Sequence, residues 1–341
     1  MDLKVKVECH CRLTSFSLSI PSDWLPLKSA LCHCHSCRHC TGQLFATWAV
    51  IPADLPPSVL KGGNLVKYES SPPCQRWFCK RCGASVVNVD RGEGPEEWEV
   101  GTGVLYFEDR KRLEGKLNRV QLWVEDVKGD GGTVGWINQG KLEGMGRHWK
   151  GRQSDMVNDD AVRDLMRRRG DDQDDCGRLV AQCHCQNVKF EISKPPNDYN
   201  GGAGKFEASL DACTSCRTVT GFEITCWATV PKTLIVAEPD LGSLLVDKER
   251  LGHYSTSSGV SRFFCVRCGA TVFYYNHDLE TIDVGLGLLE PKVQGAVRVE
   301  SWLEWQKYPK CLVFEEDAID TEFVSNLKEG MRRWERELSD D

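Results

Sequence analysis

The sequence predicts a mainly β protein: two tandem copies of a cysteine-rich domain, followed by a C-terminal α-helix. Three observations carry that prediction. Short cysteine motifs recur in the same order in both halves of the 341-residue chain. Between them, segments alternate polar and apolar residues or are rich in β-branched and aromatic ones, as half-buried strands are. Only the C-terminal segment repeats apolar residues at helical steps of three and four.

In the first copy, Lys4–Cys11 alternates in period two through Val5 and Val7, so a strand there sets Cys9 and Cys11 on one face. Next comes Cys32-His33-Cys34-His35-Ser36-Cys37-Arg38, then Thr41-Gly42 and the apolar strand Leu44–Ile51, stopped by Pro52. Arg76-Trp77-Phe78-Cys79-Lys80-Arg81-Cys82-Gly83-Ala84 reads as a Cys-x-x-Cys knuckle, with Gly83 permitting its tight backbone and Ser85–Val89 continuing as a strand. From His148 to Cys176, Gly, Asp and Arg dominate, which marks a junction. Within it, Asp160–Arg169 carries Val162, Leu165 and Met166 as a short helix ended by Gly170.

The second copy repeats the order. Val180–Ile192 alternates around Cys183-His184-Cys185, and Cys213-Thr214-Ser215-Cys216-Arg217 precedes Thr220-Gly221 and the strand Phe222–Val230. Arg262-Phe263-Phe264-Cys265-Val266-Arg267-Cys268-Gly269-Ala270 is the second knuckle, and Thr271–Tyr275 the strand after it. Extra residues fall around Asn197–Gly204 and Glu238–Arg250, where loops tolerate them. Finally Phe323, Leu327, Met331, Trp334 and Leu338 form one helical stripe with Asp320 as N-cap, expected to pack on a domain face. The boundaries that follow are 1–148 and 177–315 for the two domains, 149–176 for the linker and 316–341 for the helix.

Composition narrows the class. Eighteen Cys and eight His, clustered at short spacings, point to metal ligation. Met1–Glu8 lacks a signal-peptide core, so a reducing, cytoplasmic location is expected, with a nuclear one left open. No apolar run reaches the roughly 20 residues of a membrane span. A net charge of -7 argues against a nucleic-acid surface.

Cys9, Cys11, Cys79 and Cys82 make one closed four-thiolate set, and Cys183, Cys185, Cys265 and Cys268 its twin. Closed sets leave no room for substrate, so both are expected to hold structural zinc. Cys32, Cys34 and Cys37 supply three thiolates and leave a fourth position open, the arrangement of a catalytic site, unless Cys40, His35 or His39 closes it. The second copy offers Asp211, Cys213 and Cys216 instead, a harder set with a carboxylate in place of one thiolate. About three zinc ions per chain follow, with the Asp211 set as the place for a fourth. Arg76 and Arg262 precede the knuckles, and Arg38 and Arg217 follow the triplets. They serve either to balance the thiolate charge or to clamp a substrate carboxylate. Trp48 and Trp227 are expected in the core.

Taken together, Cys-His-Cys, Cys-His-Cys-x-x-Cys-Arg, Thr-Gly, an aromatic strand ending in Pro, and Arg-x-Phe-Cys-x-x-Cys-Gly resemble the glutathione-dependent formaldehyde-activating family, whose domain centromere protein V shares. The likeness covers about Val7–Trp136 and Val180–Trp305, and Asp126–Gly132 is similar to a late family segment. It implies a β-tent fold, a structural zinc at each knuckle and a zinc at the triplet active site. It also implies a carbon–sulfur lyase of the S-(hydroxymethyl)glutathione synthase kind. Its partners would be a small thiol such as glutathione and an aldehyde such as formaldehyde, with Arg38 and Arg76 as candidates for a glutathione carboxylate. The chain departs from the family by Arg12 and Gln186, where Gly often follows the first Cys-x-Cys, and by Asp211. The alternative class is a non-catalytic zinc scaffold of the centromere protein V type, which an acidic chain fits less well.

Overall fold

The structure, a computed structural model, describes residues 2–52, 55, 57–92, 95–107, 113–138, 140–168 and 177–339. Arg169, Gly170 and Cys176 lie outside them. Each half folds as a small sheet beside a large one. In the first half, Ser15–Pro21, Asp2–Glu8 and Leu105–Phe107 form a three-stranded sheet in that order. The seven-stranded sheet runs Leu117–Leu122, Leu27–Cys32, Ala46–Ile51, Glu97–Gly101, Ser85–Asp90, Cys74–Cys79, Leu65–Ser71. Only its Leu117–Leu122/Leu27–Cys32 pair is parallel. The second half repeats the plan with four and eight strands.

The duplication extends to register. Trp48 lies opposite Gly101 as Trp227 lies opposite Gly285. Arg76 pairs with Tyr68 and Asn88, as Arg262 does with Tyr254 and Tyr274. Even the register shift recurs, after Trp77 and after Phe263. Such a bulge bends the strand as it enters the knuckle.

Strand ends differ from the sequence reading in one instructive place. The first strand stops at Glu8, and Val180–Ile192 is two strands, Arg178–Gln182 and Lys189–Ser193. Cys9 and Cys11, like Cys183 and Cys185, therefore sit in hairpin turns and not on a strand face. Arg12 and Gln186 close these turns with φ of 58° each. That left-handed conformation costs a side chain about 1 kcal/mol or more, which is why glycine suits the position. The junction helix expected over Asp160–Arg169 spans Asp159–Arg167, capped by Asn158, and buries Val162, Leu165 and Met166.

The two halves are bound reciprocally. His10 N donates to Thr218 O (3.1 Å) and His184 N to His39 O (3.0 Å). Gly103 N donates to Gly221 O (2.9 Å), and Gly287 N to Gly42 O (3.0 Å). His10 Nδ1 meets Tyr254 Oη at 2.9 Å, and His184 Nδ1 meets Tyr68 Oη at 2.7 Å. A Cβ on Gly83 (φ 81°) would sit 2.4 Å from Phe264, and one on Gly269 (φ 80°) 2.5 Å from Phe78. The knuckle glycines thus serve two ends, the turn itself and the opposite half's phenylalanine. This is an isologous interface inside one chain.

The largest apolar cluster draws on both halves, from Leu31 and Trp136 to Phe273 and Trp302. The last helix, Thr321–Ser339, packs across the first half's Val134–Ile137 turn. Asp320 Oδ1 accepts from Phe323 N at 2.9 Å, the expected cap. Trp334 lies 5.2 Å from the Trp136 ring, and Gly330 is pressed against the Trp136 backbone. Arg119 ties three segments together. It makes a two-pronged bond to Glu223 (2.9 and 2.9 Å) and a third bond to Asp320 (2.8 Å), all buried, with its guanidinium 4.4 Å from the Phe323 ring. Among the described residues, no helix is long and apolar enough to cross a membrane.

Candidate metal centres

Each four-cysteine set assembles from the first hairpin turn and the late knuckle of its own half. In each set all four sulfurs lie within 4.8 Å of one another. Cys9–Cys11 and Cys11–Cys79 are 3.5 Å apart, and so are Cys183–Cys185 and Cys185–Cys265. A zinc tetrahedron with Zn–S near 2.3 Å has edges of about 3.8 Å, so both sets fit the ion. Four crowded thiols cannot all ionise alone. Bonding to Cys11 holds Cys79 well down and Cys82 well up, and Cys183 does the same to Cys265 and Cys268. A divalent cation resolves that conflict by taking all four as thiolates.

The triplet forms where a strand meets a helix. Cys32 ends Leu27–Cys32, and Cys34 caps the helix His35–Thr41, its Sγ accepting from Cys37 N at 3.2 Å. The three sulfurs lie within 4.8 Å of one another. Cys40, His35 and His39 do not join them. Cys40 is buried elsewhere, and the two histidines face Glu290. Arg76 Nη2 donates to Cys37 Sγ at 3.2 Å, while its Nε donates to Ser70 Oγ at 2.9 Å. Cys37 is pushed well below its ordinary range by bonding to Cys32 and Cys34 and by Arg76. Arg38 behaves differently: its Nε donates to His33 O at 3.3 Å. His33 is buried and held near 4 by that burial. Since Gln121 Nε2 gives both its protons to Val134 O and Ile137 O, Gln121 Oε1 must accept from His33 Nε2, leaving Nδ1 bare.

Register places Arg76, Asn88 and Glu99 side by side across three strands, on the sheet face that also carries Trp48. Asn88 Nδ2 donates to Glu99 Oε2 at 2.7 Å, and burial raises the Glu99 carboxyl to about 7. Arg76 Nη1, Asn88 Oδ1 and Trp48 Nε1 are buried with no partner among the described residues. Trp48 is core, as expected, but it also walls the triplet together with Phe222 of the second half, edge-on at 5.1 Å. Sequence reading missed Phe222, since nothing local connects it to Cys32.

Asp211, Cys213 and Cys216 also converge. Asp211 accepts from Cys213 N (2.6 Å) and from Cys216 Sγ (3.1 Å), and burial raises its carboxyl to about 7. Arg262 donates to Cys216 Sγ and Ser215 Oγ, each at 3.2 Å, and lies over Tyr274 at 4.3 Å. Arg217 instead donates to Gly103 O. The polar row is changed as well: Tyr274 and Asp283 stand where the first half has Asn88 and Glu99.

A family model, that of the glutathione-dependent formaldehyde-activating enzyme, matches residues 4–126 and again 178–305. No curated protein matches the chain by sequence.

Proposed function

Because the chain belongs to the glutathione-dependent formaldehyde-activating enzyme family, in two tandem copies, we propose that its first half is a zinc-dependent carbon–sulfur lyase acting on adducts of glutathione with formaldehyde or a related aldehyde. The observation that carries this reading is the triplet itself. Cys32, Cys34 and Cys37 converge with no fourth cysteine or histidine joining them among the described residues, and Arg76 Nη1 is left free beside them. In the reaction the thiol sulfur bonds to the carbonyl carbon, and the S–H proton ends on the carbonyl oxygen; the reverse releases thiol and aldehyde. Zinc held by the three cysteines supplies Lewis acidity and stabilises thiolate at neutral pH.

The chain's own groups do the rest. Arg76 balances the thiolate charge through Cys37 and offers Nη1 to an anionic oxygen of the substrate. Trp48 and Phe222 close one side against water. Arg38, turned to the His33 carbonyl, supports the loop that carries Cys32 and Cys34. The Cys9 and Cys183 sets are structural staples on this reading, with zinc at about three per chain and the Asp211 set weaker. The units it takes are 1–148 and 177–315, joined by 149–176 and followed by the helix 316–341, in a cytoplasmic protein.

Steady-state turnover of glutathione–aldehyde adducts tests the proposal. Cys37→Ala should abolish turnover, and Cys216→Ala should leave it within about twofold of wild type, since only the first triplet carries three thiolates. The opposite result moves the chemistry to Asp211 and the second half. A zinc-replete wild type inert on every adduct removes the lyase reading.

A further inference from the structure

A second kind of ligand cluster lies across the seam between the halves, made of His35, His39 and Glu290. His35 and His39 are one helical turn apart, so both rings leave the same face of His35–Thr41, with centroids 4.1 Å apart. Cys37 points about half a turn away from each, which separates this cluster from the triplet. Glu290 comes from the other half, on the short strand paired with Arg178–Gln182, where it lies opposite Val180. Its Oε1 stands 3.6 Å from His35 Nε2 and 3.5 Å from His39 Nε2.

The hydrogen bonds around the cluster orient it for a cation. His39 is only 1% exposed, and its Nδ1 lies 2.9 Å from the main-chain oxygen of Gln182. A carbonyl can only accept, so the one proton of the neutral ring resides on Nδ1 and Nε2 presents a bare lone pair. That buried Nε2 has no hydrogen-bond partner among the described residues. Facing it is a carboxylate oxygen, also an acceptor, held by Gln182 Nε2 at 2.9 Å. Gln182 thereby fixes both ligands, as the outer groups of a metal site do. Two acceptors aimed at each other 3.5 Å apart repel unless a cation lies between them. The separations match neighbouring ligands at about 2.1 Å from one ion, which places them roughly 3.4 Å apart.

We propose that His35, His39 and Glu290 bind a divalent ion of the zinc class, one per chain, which clamps the first half's helix to the second half's sheet. Two imidazoles and one carboxylate suit zinc and its neighbours in the transition series, and do not need thiolate. With His35 about half exposed (56%), the ion keeps an open position toward solvent. The positions equivalent to His35, His39 and Glu290 in the other half are Thr214, Thr218 and Tyr106, none of which carries an imidazole or a carboxylate. The trio is therefore not repeated at those positions, and it stands independently of the triplet's proposed chemistry.

Cobalt binding tests it. Reduced protein that carries zinc in its cysteine sets only is titrated with Co2+ at neutral pH, with bound metal counted by dialysis and its absorption recorded. We expect one additional equivalent whose spectrum lacks the intense sulfur-to-cobalt charge-transfer band. His35→Ala and Glu290→Gln should each weaken that binding at least tenfold, and His35 is exposed enough for its loss to leave the fold intact. No saturable cobalt binding overturns the proposal. So does a spectrum dominated by sulfur charge transfer, or binding unchanged in both variants.

Discussion

Replacing Arg119 with Met leaves Glu223 and Asp320 buried without the cation that both bind. Arg119 is 6%, Glu223 3% and Asp320 6% exposed, so water cannot substitute for the lost guanidinium. Removing one partner of such a buried pair costs about 3–5 kcal/mol. At about 2.1 cal/mol/K per residue, unfolding a chain of 341 residues carries an entropy near 0.7 kcal/mol/K. A loss of about 4 kcal/mol then lowers Tm by about 6 °C in a thermal melt of the zinc-replete protein. Adding Glu223→Met to Arg119→Met removes the stranded charge that Arg119 holds by two bonds and should recover at least half of the loss. A single variant within about 2 °C of wild type, or no more damaged than the double, refutes this account of how the three segments are held.

Two further outcomes bear on the site. Glu99→Gln should flatten the pH dependence of stability. Burial raises the Glu99 carboxyl to about 7 against an ordinary 4.5, so its contribution is complete below about 4.5 and lost as pH rises through 7. Denaturant melts should find the variant gaining up to about 3 kcal/mol on wild type between pH 5 and 8, and superimposable profiles would remove Glu99 from the argument. Cys79→Ser should lower the Tm of reduced, zinc-loaded protein by far more than Cys34→Ser does, because the knuckle metal contributes folding energy directly. Equal losses would make the triplet a third staple.

The metal sets were legible in the sequence because their geometry is local. A Cys-x-x-Cys-Gly knuckle or a Cys-x-Cys turn brings its own sulfurs together, and the duplication paired the right turn with the right knuckle. The strand assignment of Cys9 and Cys11 failed for a local reason too: the chain must reverse at Arg12. What periodicity could not reach was the seam. Phe222 against Trp48, Glu290 against His39 and Tyr254 against His10 join residues from opposite halves, and no pattern along one strand encodes that. One signal was available. His10 and His184, with Tyr68 and Tyr254, recur in both copies although the paired cysteines alone suffice for the metal. A duplicated polar pair with no local task marks a contact between copies.

The reciprocal seam has a consequence for how such a molecule can change. In a dimer of two identical chains, every substitution appears at both equivalent places, so a ligand altered at one centre is altered at its twin. Here the two places belong to one chain and are encoded at separate positions, so either can change alone. Cys32 stands opposite Asp211, His35 and His39 opposite Thr214 and Thr218, and Asn88 and Glu99 opposite Tyr274 and Asp283. The shared turns, knuckles and interlocked glycines have stayed alike, while the surroundings of the two triplets have diverged. Joining the halves in one chain lets each triplet's surroundings differ from its twin's, and the seam holds both to a common frame.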